Sequence, residues 1–220
     1  MSNGRRVIIV WDAPTRLFHW VVILLVAVEY TTWRLNWMGW HAYGGETLLG
    51  LLFFRLLWGF FGSDTARFSR FVASPGAAAR YLASAFRREP DNQVGHNPAG
   101  GWMVLFLLGL LLAEALSGLY VANDVADVGP LTVFTPAPIA DAITELHRFL
   151  WDALLVAVVV HIVAILVYAL AKGHNLVKPM LTGKKSLPAS TAQPRIVGAA
   201  RALVCALVSG IAVAAIANLL

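Results

Sequence analysis

The sequence predicts an all-α integral membrane protein with five transmembrane helices, and three observations predict it. Hydrophobic residues make up 59% of the chain and charged residues only 13%, an apolar share above and a charged share below those of soluble domains. Five apolar runs lie at roughly 17–37, 41–62, 101–122, 142–171 and 197–220. Each reaches or exceeds the ~20 residues that a helix needs to cross a bilayer. The basic residues cluster in alternate connections between these runs, as the positive-inside rule requires.

Arg5, Arg6 and Arg16 accompany the entry to the first run, and Asp12 followed by Pro14 sets a helix start. No small-residue cleavage site follows this apolar stretch, so it is expected to stay as an anchor rather than act as a signal peptide. The short connection to the second run carries only Arg34. The loop after it, 63–100, carries Arg67, Arg70, Arg80, Arg87 and Arg88. Within it "SPGAAARYLASAFRREP" offers Ser74 as a cap and Pro75 for a first turn. Tyr81 and Phe86 among the arginines suit a short helix on the membrane surface; the alternative is a solvated basic loop.

Between the third and fourth runs, residues 123–141 have no Lys or Arg and hold Asp124, Asp127 and Asp141. "VGPLTVFTPAPIA" reads as an irregular loop because of its prolines. Lys172, Lys178, Lys184, Lys185 and Arg195 follow the fourth run. The 178–195 stretch, with Pro179, Gly183, Pro188 and Pro194, reads as a linker to the Ala-rich fifth run. The pattern puts the N-terminus and the 63–100 loop in the cytoplasm and the 38–41 and 123–141 connections outside. The net charge of +5 therefore reports topology and not nucleic-acid binding.

Cys205 is the single cysteine, so the chain can form no internal disulfide and has no CxxCH for covalent haem attachment. The histidines are more informative. His96 and His174 sit among turn and charged residues and read as interfacial polar groups. His19, His41, His147 and His161 lie in or at the ends of apolar runs, where a polar side chain is costly and needs a partner or a role. His147 and His161 are 14 residues apart, hence ~21 Å along a helix axis and within about 40° of one face. The alternating direction of the helices matches His19 with His161 at one depth and His41 with His147 at the other. Two levels of two imidazoles suit two six-coordinate haems. Zinc fits less well, since neither pair has a cysteine or carboxylate cluster.

"WDAPTRLFHW", "FRLLWGFFGSDTARFSRF", "GHNPAGGWMV", "LHRFLWDALLVAVVVHIVAILVY" and "HNLVKPMLTGKK" together resemble the bacterial cytochrome b561 family, in the branch similar to the b-type cytochrome subunit of nickel–iron hydrogenase. The resemblance covers about residues 7–185 in order. It implies a four-helix haem-binding bundle over 1–185, with residues 186–220 as a linker and an additional C-terminal helix. It also implies two haem b groups, one held by His19 and His161 and one by His41 and His147. The implied activity is electron transfer between a periplasmic c-type cytochrome or dehydrogenase and the quinone pool, in the bacterial inner membrane. The paired Gly44 and Gly45 after His41 depart from the expected second-helix pattern.

Arg16 and Arg55 are candidates for holding propionates of the inner haem by bidentate pairing, and Arg34 and Arg148 for the outer one; the alternative is snorkelling to headgroups. Glu46 and Glu114 lie in apolar runs, where they either carry protons in quinone chemistry or satisfy a buried hydroxyl or Arg. Gly109 and Gly118 permit close approach by a porphyrin or a neighbouring helix. Two other readings stay open: a self-sufficient quinone-linked oxidoreductase acting on a small oxidant or reductant, and a haem-free transporter whose histidines line a path.

Overall fold

In the computed structural model, described for residues 4–84, 87–122 and 129–218, the chain is mostly helical. Strand β1 (Arg5–Ile9) leads into α1 (Ala13–Arg34) and α2 (Met38–Phe61). A 3-10 turn (Asp64–Ala66) and two short helices follow, α3 (Phe68–Phe71) and α4 (Pro75–Ala83). Then come α5 (Pro98–Gly118), a 3-10 turn (Thr132–Phe134) and α6 (Ala137–Val167), which continues as a π-helical turn (Tyr168–Lys172). Helix α7 (Val177–Thr182), strand β2 (Lys184–Pro188) and α8 (Ala199–Asn218) complete the chain. Five helices are long and apolar enough to cross a membrane: Ala13–Arg34, Met38–Phe61, Pro98–Gly118, Ala137–Lys172 and Ala199–Ala217. These are the five runs read from the sequence, and the all-α membrane fold is as predicted.

The described residues divide into two compact units. The first contains residues 1–17, 57–106 and 158–202; the second contains 18–56, 107–157 and 203–220. In the first unit, Asp12 starts α1 as expected: its Oδ1 accepts from Thr15 N at 2.8 Å. Its Oδ2 accepts from Trp58 Nε1 at 3.0 Å. Ser74 caps α4, accepting from Ala77 N at 3.3 Å, with Pro75 in the first turn. Phe86 of the proposed surface helix lies outside the described residues, as do Asp124 and Asp127 of the acidic connection.

The 178–195 stretch holds structure that its prolines did not signal. β2 pairs antiparallel with β1, from Arg5 opposite Pro188 to Ile9 opposite Lys184. Ile8, Val10, Trp11 and Leu187 form a small buried core, with Val94 and Met180 packed against it. Gly183 makes the approach possible. It adopts a left-handed φ of 77°, open to glycine at little cost, and its carbonyl accepts from both Val10 N (2.8 Å) and Trp11 N (3.1 Å). A Cβ there would stand 2.7 Å from Trp11 O. Lys185 Nζ reaches Asp91 Oδ1 at 2.7 Å and Gln93 O at 2.9 Å, tying the 89–93 loop to the strand pair.

In the second unit, α1, α2, α5 and α6 contribute facing side chains, and α8 packs at Gly50 of α2, where Val213 would meet an added Cβ at 3.6 Å. Tyr30 of α1 stacks on Trp151 of α6, centroids 5.9 Å apart. Ala122 N donates to Thr144 Oγ1 at 3.0 Å, fixing the chain after α5 to α6.

Candidate functional site

The second unit encloses a cavity of ≈ 370 Å³ lined by residues of all four of these helices. His41 of α2 and His147 of α6 both line it. Each histidine is half-buried, and each is held at Nδ1 by the neighbouring helix. His41 Nδ1 donates to Glu29 O at 3.2 Å and to Glu29 Oε2 at 2.9 Å, both on α1. His147 Nδ1 donates to Glu114 O at 3.1 Å, with Ser117 Oγ at 3.0 Å, both on α5. A carbonyl oxygen can only accept, so this geometry assigns the proton of each neutral ring to Nδ1. Nε2 then carries the lone pair. At His147 the nearest carboxylate to Nε2 is Glu114 Oε1 at 3.5 Å, a separation too long for a strong hydrogen bond.

Space around the imidazoles comes from two glycines. Gly118 of α5 stands where a Cβ would lie 3.3 Å from His147 Cε1. Gly44 of α2 stands where a Cβ would lie 1.8 Å from Glu29 Oε1. Gly109, by contrast, has nothing within 4 Å of an added Cβ. The cavity wall between the histidines is mainly apolar and aromatic, with Val26, Leu48, Leu111, Leu154 and Trp151, and its volume falls in the ~300–1,000 Å³ range of cofactor pockets.

The model of the family described as prokaryotic cytochrome b561 matches residues 10–183. The chain belongs to the prokaryotic cytochrome b561 family. It is thus a multi-pass bacterial membrane protein and a membrane b-type cytochrome of electron transfer, a class whose haem is held by histidine. No curated protein and no solved structure matches the chain.

The donor set of the b561 cavity fits that cofactor. Two imidazoles on different helices line one cavity, and each is held at Nδ1 by a partner on an adjacent helix. Such outer partners set the tautomer and orientation of metal-binding histidines. Among the described residues no three His, Cys, Asp or Glu side chains form a group that could hold a single metal ion.

The other predicted residues fall as follows. His19 of α1 belongs to the second unit, its ring edge-on to Trp20 with centroids 5.0 Å apart. His161 of α6 belongs to the first unit. Arg16, also in the first unit, donates from Nη1 to Leu181 O at 2.7 Å, so one of its donors serves the end of α7. Arg55 of α2 is buried in the second unit, 2% exposed. Arg148 lines the cavity, but its Nη1 pairs with Glu145 Oε1 at 2.5 Å on the exposed face of α6. Arg34 sits over the Trp33 ring at 5.7 Å. Glu46 and Glu114 both line the cavity.

His96 and His174 serve the first unit's packing. The His96 ring lies 4.6 Å from both Trp11 and Phe71. His174 Nε2 donates to Glu89 O at 2.6 Å. Glu29 is the residue that sequence reasoning missed. Its signal was present: a carboxylate in the middle of the first apolar run is as costly as a histidine there.

Proposed function

We propose that this b561 protein is a di-haem cytochrome that passes electrons between a periplasmic redox partner and the quinone pool. His41 and His147 would hold one haem, and His19 and His161 a second. The observation that carries the reading is the first pair: two histidines on different helices line one cavity, each held at Nδ1 by the adjacent helix. The second pairing is supported by the sequence, in which His161 follows His147 by 14 residues along one continuous helix. Haem iron supplies reversible one-electron exchange between its ferric and ferrous states.

The chain's own groups do the rest. Glu29 and Glu114 hold the Nδ1 protons and so orient the rings. Leu48, Leu111 and Leu154 line the cavity, and their apolar side chains would lower the polarity around the haem, one of the ways a protein sets its potential. Arg16 and Arg55 are the residues we assign to propionates of the haem held by His19 and His161, since guanidinium pairs bidentately with carboxylate. The positive-inside pattern supports a cytoplasmic N-terminus, with His41 and His147 at the periplasmic level. A periplasmic partner would then exchange electrons at that level.

The test is the dithionite-reduced minus oxidised visible spectrum of the detergent-purified protein, with a haem-to-protein ratio, beside His147→Ala and His161→Ala. A b-type spectrum at two haems per chain, with one lost in each variant, is the expected result. Full haem content in His147→Ala would overturn the assignment of this cavity. Quinol added to the protein in liposomes should reduce the haem, and a failure to do so would remove the quinone half of the reading.

A further inference from the structure

The two histidines of the cavity are held differently, and the difference is chemical. His147 Nδ1 meets only neutral acceptors, Glu114 O and Ser117 Oγ. His41 Nδ1 meets a carboxylate oxygen, Glu29 Oε2 at 2.9 Å, in addition to the Glu29 carbonyl at 3.2 Å and Thr32 Oγ1 at 3.5 Å. Glu29 is 7% exposed. Among the described residues its other oxygen, Oε1, has no hydrogen-bond partner, and its one ion-pairing contact is His41. A carboxylate buried in an apolar span without an Arg or Lys is expensive, and here its hydrogen bonding is spent on one imidazole.

Gly44 explains how it fits. It lies three residues after His41 on α2, and a Cβ there would sit 1.8 Å from Glu29 Oε1. The neighbouring Gly45 has nothing within 4 Å of an added Cβ, so the steric demand is at Gly44 alone. The glycine pair that departs from the second-helix pattern is therefore half accounted for: Gly44 admits the carboxylate.

We propose that Glu29 is a positioning residue that lowers the reduction potential of the haem held by His41, acting through the His41 Nδ1–H bond, with Gly44 as the residue that admits its carboxylate. A carboxylate accepting from Nδ1–H gives the imidazole anionic character and makes Nε2 a stronger donor, as in carboxylate–histidine–metal triads. A stronger donor favours ferric over ferrous iron, and outer hydrogen bonding is one of the ways a protein sets haem potential. The inference rests on the assignment of His41 as a ligand.

The experiment is an anaerobic redox titration of the haem-loaded, full-length protein in detergent, with haem-to-protein ratios, for wild type, Glu29→Gln, Gly44→Ala and His41→Ala. Glu29→Gln keeps the shape and removes the charge. Gly44→Ala keeps the charge and displaces it. Both are expected to retain haem and to move the reduction equilibrium of one haem about tenfold towards ferrous, ~59 mV for one electron, with the second haem unmoved. Unchanged potentials at full haem content in either variant would overturn the proposal, as would an equal shift of both haems. If Glu29→Gln loses haem, Gly44→Ala carries the test alone. Full haem content in His41→Ala is a separate result: it removes the ligand assignment, read by stoichiometry rather than by potential, and the proposal with it.

Discussion

Trp58 donates its indole N–H to Asp12 Oδ2 at 3.0 Å, and neither side chain reaches solvent, at 0% and 2% exposure. The same carboxylate caps α1 through Thr15 N at 2.8 Å. One side chain thus starts the first span and anchors an indole in the first unit. Both residues belong to the family's matched segment, 10–183.

Asp12→Ala removes a helix cap and leaves a buried indole N–H without its acceptor. The two losses cost about 2–4 kcal/mol together. Trp58→Phe leaves the cap in place and removes the indole donor with part of a buried ring, and should cost less, about 1–3 kcal/mol. Thermal unfolding in detergent at fixed haem content checks the order: Asp12→Ala the lower in Tm, Trp58→Phe between it and wild type.

Gly183→Ala places a Cβ 2.7 Å from Trp11 O at a φ of 77°. The strain is of order 1–3 kcal/mol, and relief requires the 183–188 segment to move from Val10 and Trp11. Hydrogen exchange at the Val10 and Trp11 amides should accelerate in this variant. Haem content at the cavity of His41 and His147 should be unchanged, since Gly183 belongs to the first unit and the residues lining that cavity to the second. Unaltered protection at both amides would show that Gly183 is dispensable.

Gly118 and Gly109 should part company. Gly118→Val pushes a branched side chain towards His147 Cε1, already 3.3 Å from an added Cβ, while Gly109 faces open space. The expected outcome is loss of the haem at this cavity in Gly118→Val and wild-type content in Gly109→Val. Equal content in the two would mean that Gly118 serves helix packing only.

Alkaline pH should weaken the first unit through Tyr81, which lies outside the spans. Burial above all, then the neighbouring Tyr168, pushes its phenol up from the usual value. A raised phenol pKa means the folded state holds the proton more tightly than the unfolded state. The stability this contributes is fully present below the ordinary tyrosine pKa of ~10 and is lost as pH climbs from there through the folded value. The Lys172 ammonium sits over the Tyr81 ring at 4.6 Å, so the phenol's surroundings also hold the end of α6. An ultraviolet-monitored alkaline titration checks this: Tyr81→Phe should delete a phenol that ionises after the ordinary range.

The five spans were legible because burial in lipid imposes length and apolarity on each helix separately. The start of α1 at Asp12 and the cap of α4 at Ser74 were legible for a different, local reason: a cap is satisfied within three residues. That His41 and His147 line one cavity agrees with their matched depth in the sequence, because helix rise and direction convert residue number into depth.

What the sequence by itself determined, then, is everything set by a residue's near neighbours or by its depth in the membrane. Only the tertiary structure decided the pairing of β1 with β2, whose partners Arg5 and Pro188 are 183 residues apart in the chain. A strand's edge is completed by whatever backbone reaches it, and five-residue strands carry little periodicity to announce that. The tertiary structure alone also brought Glu29 to His41 and showed that Gly44 admits it. A carboxylate, an imidazole and a missing Cβ on two helices have no common periodicity in sequence. They become one device only when the helices are packed.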